Sequence, residues 1–193
     1  MSAASAPDLL ELSELPTLGL SRRQLTGLVD EGTYERIAPG QYLRAGAADD
    51  TTAAWMAISA KRPEATLCLL TAASLHDLTD EIPSRSHIAV PRGCKPIAAR
   101  TAPIAWHSFD PETFEIGRLE HQLPGGRTIG LYSPERTIID LFRLRHEWGS
   151  DLAIEALKRW LRTSGGNPSA LLTQATPFPK AKPAIRQALE ILL

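Results

Sequence analysis

The sequence predicts an α+β protein: a small helix-and-hairpin unit at the N-terminus, then a mixed α+β domain that ends in helices. Three observations carry that class. A doubly marked helix start at Ser21–Gln24 is followed by β-prone runs around Pro39-Gly40. Short strand-like runs recur in the middle of the chain. Capping signals and helical apolar spacing then take over from Ser133 onward. With 193 residues, 43% hydrophobic and 22% charged, the chain can bury a proper core without cross-links.

The first element is expected to be a short helix opening at Asp8. Asp8 and Glu11 have capping-box spacing, Leu9, Leu10, Leu12 and Leu15 follow, and Pro16 and Gly19 break the run. Next, Ser21-Arg22-Arg23-Gln24 is a capping box of the S-x-x-Q type. Leu20 and Leu25 sit at the two positions of a hydrophobic staple. Leu25, Leu28 and Val29 form an apolar stripe, with Arg22, Arg23, Thr26 and Asp30 mainly opposite, and Gly32 ends the helix. Tyr34–Ile37 and Gln41–Arg44 around Pro39-Gly40 read as a hairpin. Short helix, turn, capped helix and hairpin make the plan of a winged helix-turn-helix. It is assigned to residues 1–48, and Ala45–Asp50 is a candidate linker to an α+β domain over 49–193.

In that second part, helices are expected at Thr52–Lys61 and Thr71–Leu78. Strands are expected at His87–Val90, Ile104–His107 and Thr128–Leu131. Ser133-Pro134 is an N-cap with proline at the first helical position. It opens an amphipathic helix through Ile138, Ile139, Leu141, Phe142 and Leu144. Further helices begin near Ser150, at Asn167-Pro168 and at Pro183.

A helix-turn-helix sets the start of its second helix in the major groove. Here that start holds Ser21, Arg22, Arg23, Gln24 and Thr26. Arginine suits guanine or phosphate, and glutamine suits adenine. Arg36, Gln41 and Arg44 on the hairpin complete the expected DNA-binding set. Bulk charge does not argue for DNA: the chain carries −1, and residues 1–48 hold four arginines against six carboxylates. Only the placement of those arginines does. So few cations make the affinity of one copy modest, and a dimer on a repeated operator would be the natural remedy.

Enzyme templates fail in turn. The five histidines show no H-E-x-x-H spacing, and Cys68 and Cys94 form no CxxC pair. They are expected to be reduced, partly buried thiols. No nucleophile elbow, P-loop, G-x-G-x-x-G or Glu-x-Lys occurs. The expectation is a non-enzymatic protein without cofactor or metal. Arg136 and Asp140 lie four apart, and a structural pair explains them more simply than a recognition surface does. Trp55, Trp106, Trp148 and Trp160 are expected in the core or at interfaces. From Asp151 onward six cations face three anions, so Lys158, Arg159 and Arg162 are a candidate partner surface, with a solvated helix face as the simpler account. No signal-like leader or apolar run of roughly 20 residues appears, and the chain is expected to be cytoplasmic.

Four segments in order resemble one family. Gly19–Leu25, followed by Leu28-Val29, Gly32, Arg36 and Pro39–Tyr42, is similar to the N-terminal domain of AbiEi-type antitoxins of type IV toxin–antitoxin systems. Leu70–His76, Ala89–Gly93 and Ser133–Asp140 resemble later pieces of that family. The likeness runs from about Leu18 to Asp140 and loosely to the end. It implies a winged-helix domain that represses its own promoter and a second domain that counters a nucleotidyltransferase-like toxin. The alternative is a stand-alone winged-helix transcriptional regulator whose C-terminal domain senses a protein or ligand.

Overall fold

The computed structural model describes residues 7–97, 100–163 and 166–193. The run of small residues at the start of the chain falls outside them as far as Ala6. The protein is α+β, with two sheets and helices between and beside them.

The first element is a strand, β1 (Leu9–Glu11), and not the helix expected from Asp8. The Asp8–Glu11 box does not form. Instead the Glu11 amide donates to Glu14 Oε2 at 3.1 Å, and a series of turns runs to Gly19. The leucines that looked helical serve two faces of a strand, because Leu9 and Leu10 pair with β3 and bury on opposite sides. Tertiary pairing has overridden a local helix signal.

Helix α1 (Arg22–Asp30) starts as its sequence prescribes. Ser21 Oγ accepts from the Gln24 amide at 3.2 Å, and Gln24 Oε1 accepts from the Ser21 amide at 2.9 Å. Strands β2 (Tyr34–Ala38) and β3 (Gln41–Arg44) form the hairpin, and the three strands lie in the order β1-β3-β2. Pairing slips by one between Arg36 and Ala38, a bulge at Ile37. Leu10, Tyr34 and Tyr42 on one face of this sheet pack with Leu15 and Leu25. Leu9, Ile37 and Leu43 on the other face pack against α2 (Asp50–Lys61).

Helix α2 is buried without interruption from Ala53 to Ser59. An α-helix presents every side within seven residues, so a run of that length has no solvent face. Its far side meets the second sheet, through Leu67, Ile88, Ile129 and Leu131. That sheet consists of β4 (Thr66–Leu67), β5 (Ser86–Pro91), β6 (Ile104–Phe109), β7 (Arg118–Leu123) and β8 (Arg127–Tyr132), in the order β6-β5-β4-β8-β7. Pairs β5–β6 and β4–β8 are parallel, whereas β4–β5 and β7–β8 are antiparallel.

The opposite face of this sheet carries a second core, built with α3 (Leu69–Leu75), α5 (Pro134–Arg143), α7 (Ser150–Arg162), α8 (Pro168–Gln174) and α9 (Lys182–Leu192). The short helices α4 (Pro111–Phe114) and α6 (Arg145–Trp148) flank it. The caps read from sequence form: Ser133 accepts from the Arg136 amide, and Asn167 from Ser169 and Ala170. Further ties join the N-terminal unit to the rest. Lys61 Nζ donates to Pro39 O at 2.7 Å, and Arg127 lies 3.6 Å from Glu11 and 3.8 Å from Glu14.

Arg136 anchors α5. Its side chain is wholly buried, bonds Asp140 at 2.9 Å and the carbonyls of Thr113 and Ile116 at 2.6 and 2.7 Å, and stacks on Tyr132 at 4.2 Å. Asp140 also accepts from Arg143 Nε at 3.1 Å. Burial pushes the Asp140 carboxyl up, and the two guanidiniums oppose that. The pair is structural.

Close packing around Arg136 fixes Gly117, whose φ is +70°. A Cβ there would stand 2.6 Å from Gln174 Nε2 and 2.7 Å from Arg136 Cβ. Gly117→Ala is therefore expected to cost roughly 2–4 kcal/mol in denaturant unfolding, from left-handed strain and overpacking together. Gly27→Ala has no heavy atom within 4 Å of its new methyl and should instead stabilise by about 1 kcal/mol.

Candidate nucleic-acid interface

Capping decides what α1 presents to solvent. The Ser21–Gln24 box uses the Ser21 hydroxyl and the Gln24 carbonyl on each other, at 2.8 Å. Both residues are exposed, but only the Gln24 amino group remains to contact a partner. Arg22 and Arg23, in the first turn, are exposed and form no ion pair or side-chain hydrogen bond among the described residues. Thr26 is exposed, with its hydroxyl donated to the Arg22 carbonyl at 3.0 Å.

Across from α1, the hairpin contributes less than the sequence suggested. Arg36 is exposed and also lacks an ionic partner among the described residues. Together Arg22, Thr26 and Arg36 border a depression of about 360 Å³ floored by Leu12, Leu25, Val29 and Tyr42. Arg44 lies on the same sheet face, but its guanidinium is held by the Asp8 carboxylate. It lines a different cleft, with Asp8, Glu14 and Arg127.

Gln41 corrects the sequence expectation outright. It is 1% exposed, and both amide atoms are buried without a hydrogen-bond partner in the described structure. Residues alternate across a strand, so Gln41 shares the α2-facing side with Leu43, and Tyr42 and Arg44 take the other. Tyr42 was missed for the same reason. Its place follows from its pairing with Arg36, and that register depends on the bulge at Ile37.

Of the C-terminal candidates, Arg159 is already neutralised. It donates to Asp80 at 2.9 Å and to Glu155 at 2.7 Å, and this holds the Asp80 carboxyl below its usual range. Lys158 and Arg162 are exposed without an ion pair among the described residues. All three lie on α7, far in sequence from α1 and the hairpin.

One further pair was not anticipated. His87 Nδ1 lies 3.0 Å from His107 Nε2, and the rings stack beside Trp148. Burial, with His107 second, pushes His87 down to about 4, and burial also lowers His107. No group of three or more His, Cys, Asp or Glu able to hold a metal comes together among the described residues. Cys68 is fully buried, and burial pushes its thiol well up, away from nucleophilic use. No helix among the described residues is long and apolar enough to cross a membrane.

The unpaired amide of Gln41 makes a direct check on this geometry. Gln41→Met should raise unfolding free energy by about 1–3 kcal/mol, the usual cost of a buried unsatisfied polar group. It should leave any DNA affinity unchanged. A loss of DNA binding in a stabilised Gln41→Met protein would show that the side chain reaches a duplex after all.

No family model matches the chain, and no curated protein matches it. Among solved structures, the chain is similar to the crystal structure of the Rv2827c protein from Mycobacterium tuberculosis. The two are 16% identical with a TM-score of 0.56, over 97% of this chain and 77% of that one. At that identity the likeness shows a shared fold and nothing more.

Proposed function

We propose that this chain is a DNA-binding antitoxin of a bacterial toxin–antitoxin operon: a binding protein and not an enzyme, working in the cytoplasm. Its α1–β2 surface represses the operon's own promoter, and its C-terminal part counters a nucleotidyltransferase-like toxin. One observation carries the DNA half. Arg22, Arg23 and Arg36 stand exposed on neighbouring elements, with no carboxylate of the described chain engaging them.

The topology supports this half. A strand, a turn segment, a capped helix and a hairpin, with sheet order β1-β3-β2, fit a winged helix-turn-helix in which Leu12–Gly19 replaces the first helix of the motif. The backbone N–H groups at the start of α1 suit a phosphate. Gln41 drops out of the contact set, and Arg44 contributes little while Asp8 holds it. The toxin half rests on the four-segment resemblance to AbiEi-type antitoxins. Lys158 and Arg162 are the free cations of α7 that could meet an acidic partner.

A second reading, a stand-alone regulator with a sensing C-terminal part, is favoured by one feature. A cleft of about 460 Å³, lined by Asp8, Arg44, Gly125 and Arg127, lies where the two parts meet. A nucleotidyltransferase-like neighbour in the operon would favour the antitoxin, and its absence the sensor.

Gel shifts on the upstream promoter test the DNA half. Arg22→Ala with Arg23→Ala should abolish the specific shift and flatten the slope of log K against log salt by about 2. Arg44→Ala should change little. In cells carrying the toxin, the Arg22/Arg23 variant should still protect, and Lys158→Glu with Arg162→Glu should not. Undiminished promoter binding by a folded Arg22/Arg23 variant would end the DNA reading.

A further inference from the structure

The five-stranded sheet ends in two edges of opposite character. β7 carries Arg118 and Glu120, the kind of charge that protects natural edge strands from pairing. β6 reads Ile-Ala-Trp-His-Ser-Phe, without charge or proline. Its register with β5 is unbroken over Ile104–Phe109, so no bulge turns the edge away. Among the described residues, the backbone of 104–109 bonds only to β5 and to the Arg92 amide just beyond it. Among the described residues the groups on its outer side have no protein partner, a template for one more strand.

We propose that a second copy of this chain occupies that edge, β6 against β6, antiparallel across a two-fold axis. Charge favours a copy over an unrelated strand. Arg85 and Arg100 stand at the start of the β5–β6 pair; at its end Asp110, 3.9 Å from Arg92, and Glu112 leave one carboxylate in excess. Antiparallel self-pairing brings the basic end of one copy beside the acidic end of the other. It sets no charged strand residue opposite its like. The contact is isologous and closed, so the joined ten-stranded sheet would end only in the two charged β7 strands.

The consequence for DNA rests on the reader proposed above. One copy offers three unpartnered arginines, and a two-fold pair would present two readers to a palindromic or repeated operator. The dimer itself does not depend on that proposal.

Sedimentation of the full chain at tens of micromolar tests it. The mass should be twice 21.0 kDa. Ser108→Lys, which puts a lysine at an exposed position of the edge, should give a single copy with unchanged circular dichroism and a thermal midpoint that no longer rises with protein concentration. As a second readout that needs no variant, amide exchange along β6 should slow as protein concentration rises, while exchange along β7 should not. A monomeric wild type, a dimer indifferent to Ser108→Lys, or identical concentration dependence at both edges would overturn the pairing. Failure here is separable from failure of the reader: a monomer that shifts promoter DNA removes the dimer alone, and a dimer that ignores DNA removes the reader alone.

Discussion

Helix α2 is the wall that both sheets of this protein lean on. Ala53, Trp55, Met56, Ala57 and Ile58 lie in one core with Leu9, Ile37 and Leu43 from the first sheet and Leu67, Ile88 and Ile129 from the second. Apolar burial contributes about 25 cal/mol per Å² removed from water, so a helix closed on every side stabilises both units at once. Removing either sheet would expose one flank of α2. The short stretch between β3 and α2 is therefore a connection inside a packed body, although its small and acidic residues resemble a linker.

That constraint shapes what the N-terminal unit can present. With one sheet face committed to α2, the proposed DNA surface falls on the α1 side. Pro39 O is tied to Lys61, and the Leu12 amide donates to Gly40 O at 3.0 Å, so the hairpin turn lies against the body and does not project as an arm. Asp8, Glu11 and Glu14 are drawn toward Arg44 and Arg127, which takes carboxylates out of play. The segment's unfavourable count of charges thus misstates its surface. What α1 and β2 offer is a short row of guanidiniums without an ionic partner among the described residues, with Asp30, Glu31 and Glu35 nearby in sequence.

Where chemistry is local, the sequence was legible. The Ser21 box, the Ser133 and Asn167 caps, and the apolar stripes of α5 and α7 all depend on residues a few positions apart. The strands β5, β6 and β8 were legible from short apolar or β-branched runs within them, Ile88–Val90, Ile104–Trp106 and Thr128-Ile129. What failed depended on distant partners. Leu9 and Leu10 look the same in an amphipathic helix and in a strand buried on both faces. Their strand state is settled by pairing with Leu43 and Tyr42. Gln41 and Tyr42 exchanged roles because a bulge sets the register of the hairpin. β7 gave little warning because an edge strand with Arg118 and Glu120 looks like a loop. The Arg136–Asp140 spacing was visible, but its complete burial comes from Tyr132 and Phe178, which no spacing rule relates to it.

Native-state amide exchange compares the two sheets most directly. If α2 makes them one cooperative body, the slowest amides of β3 and of β8 should open with the same free energy and respond alike to denaturant. A first sheet whose best-protected amides exchange through a separate, much cheaper opening would contradict the account.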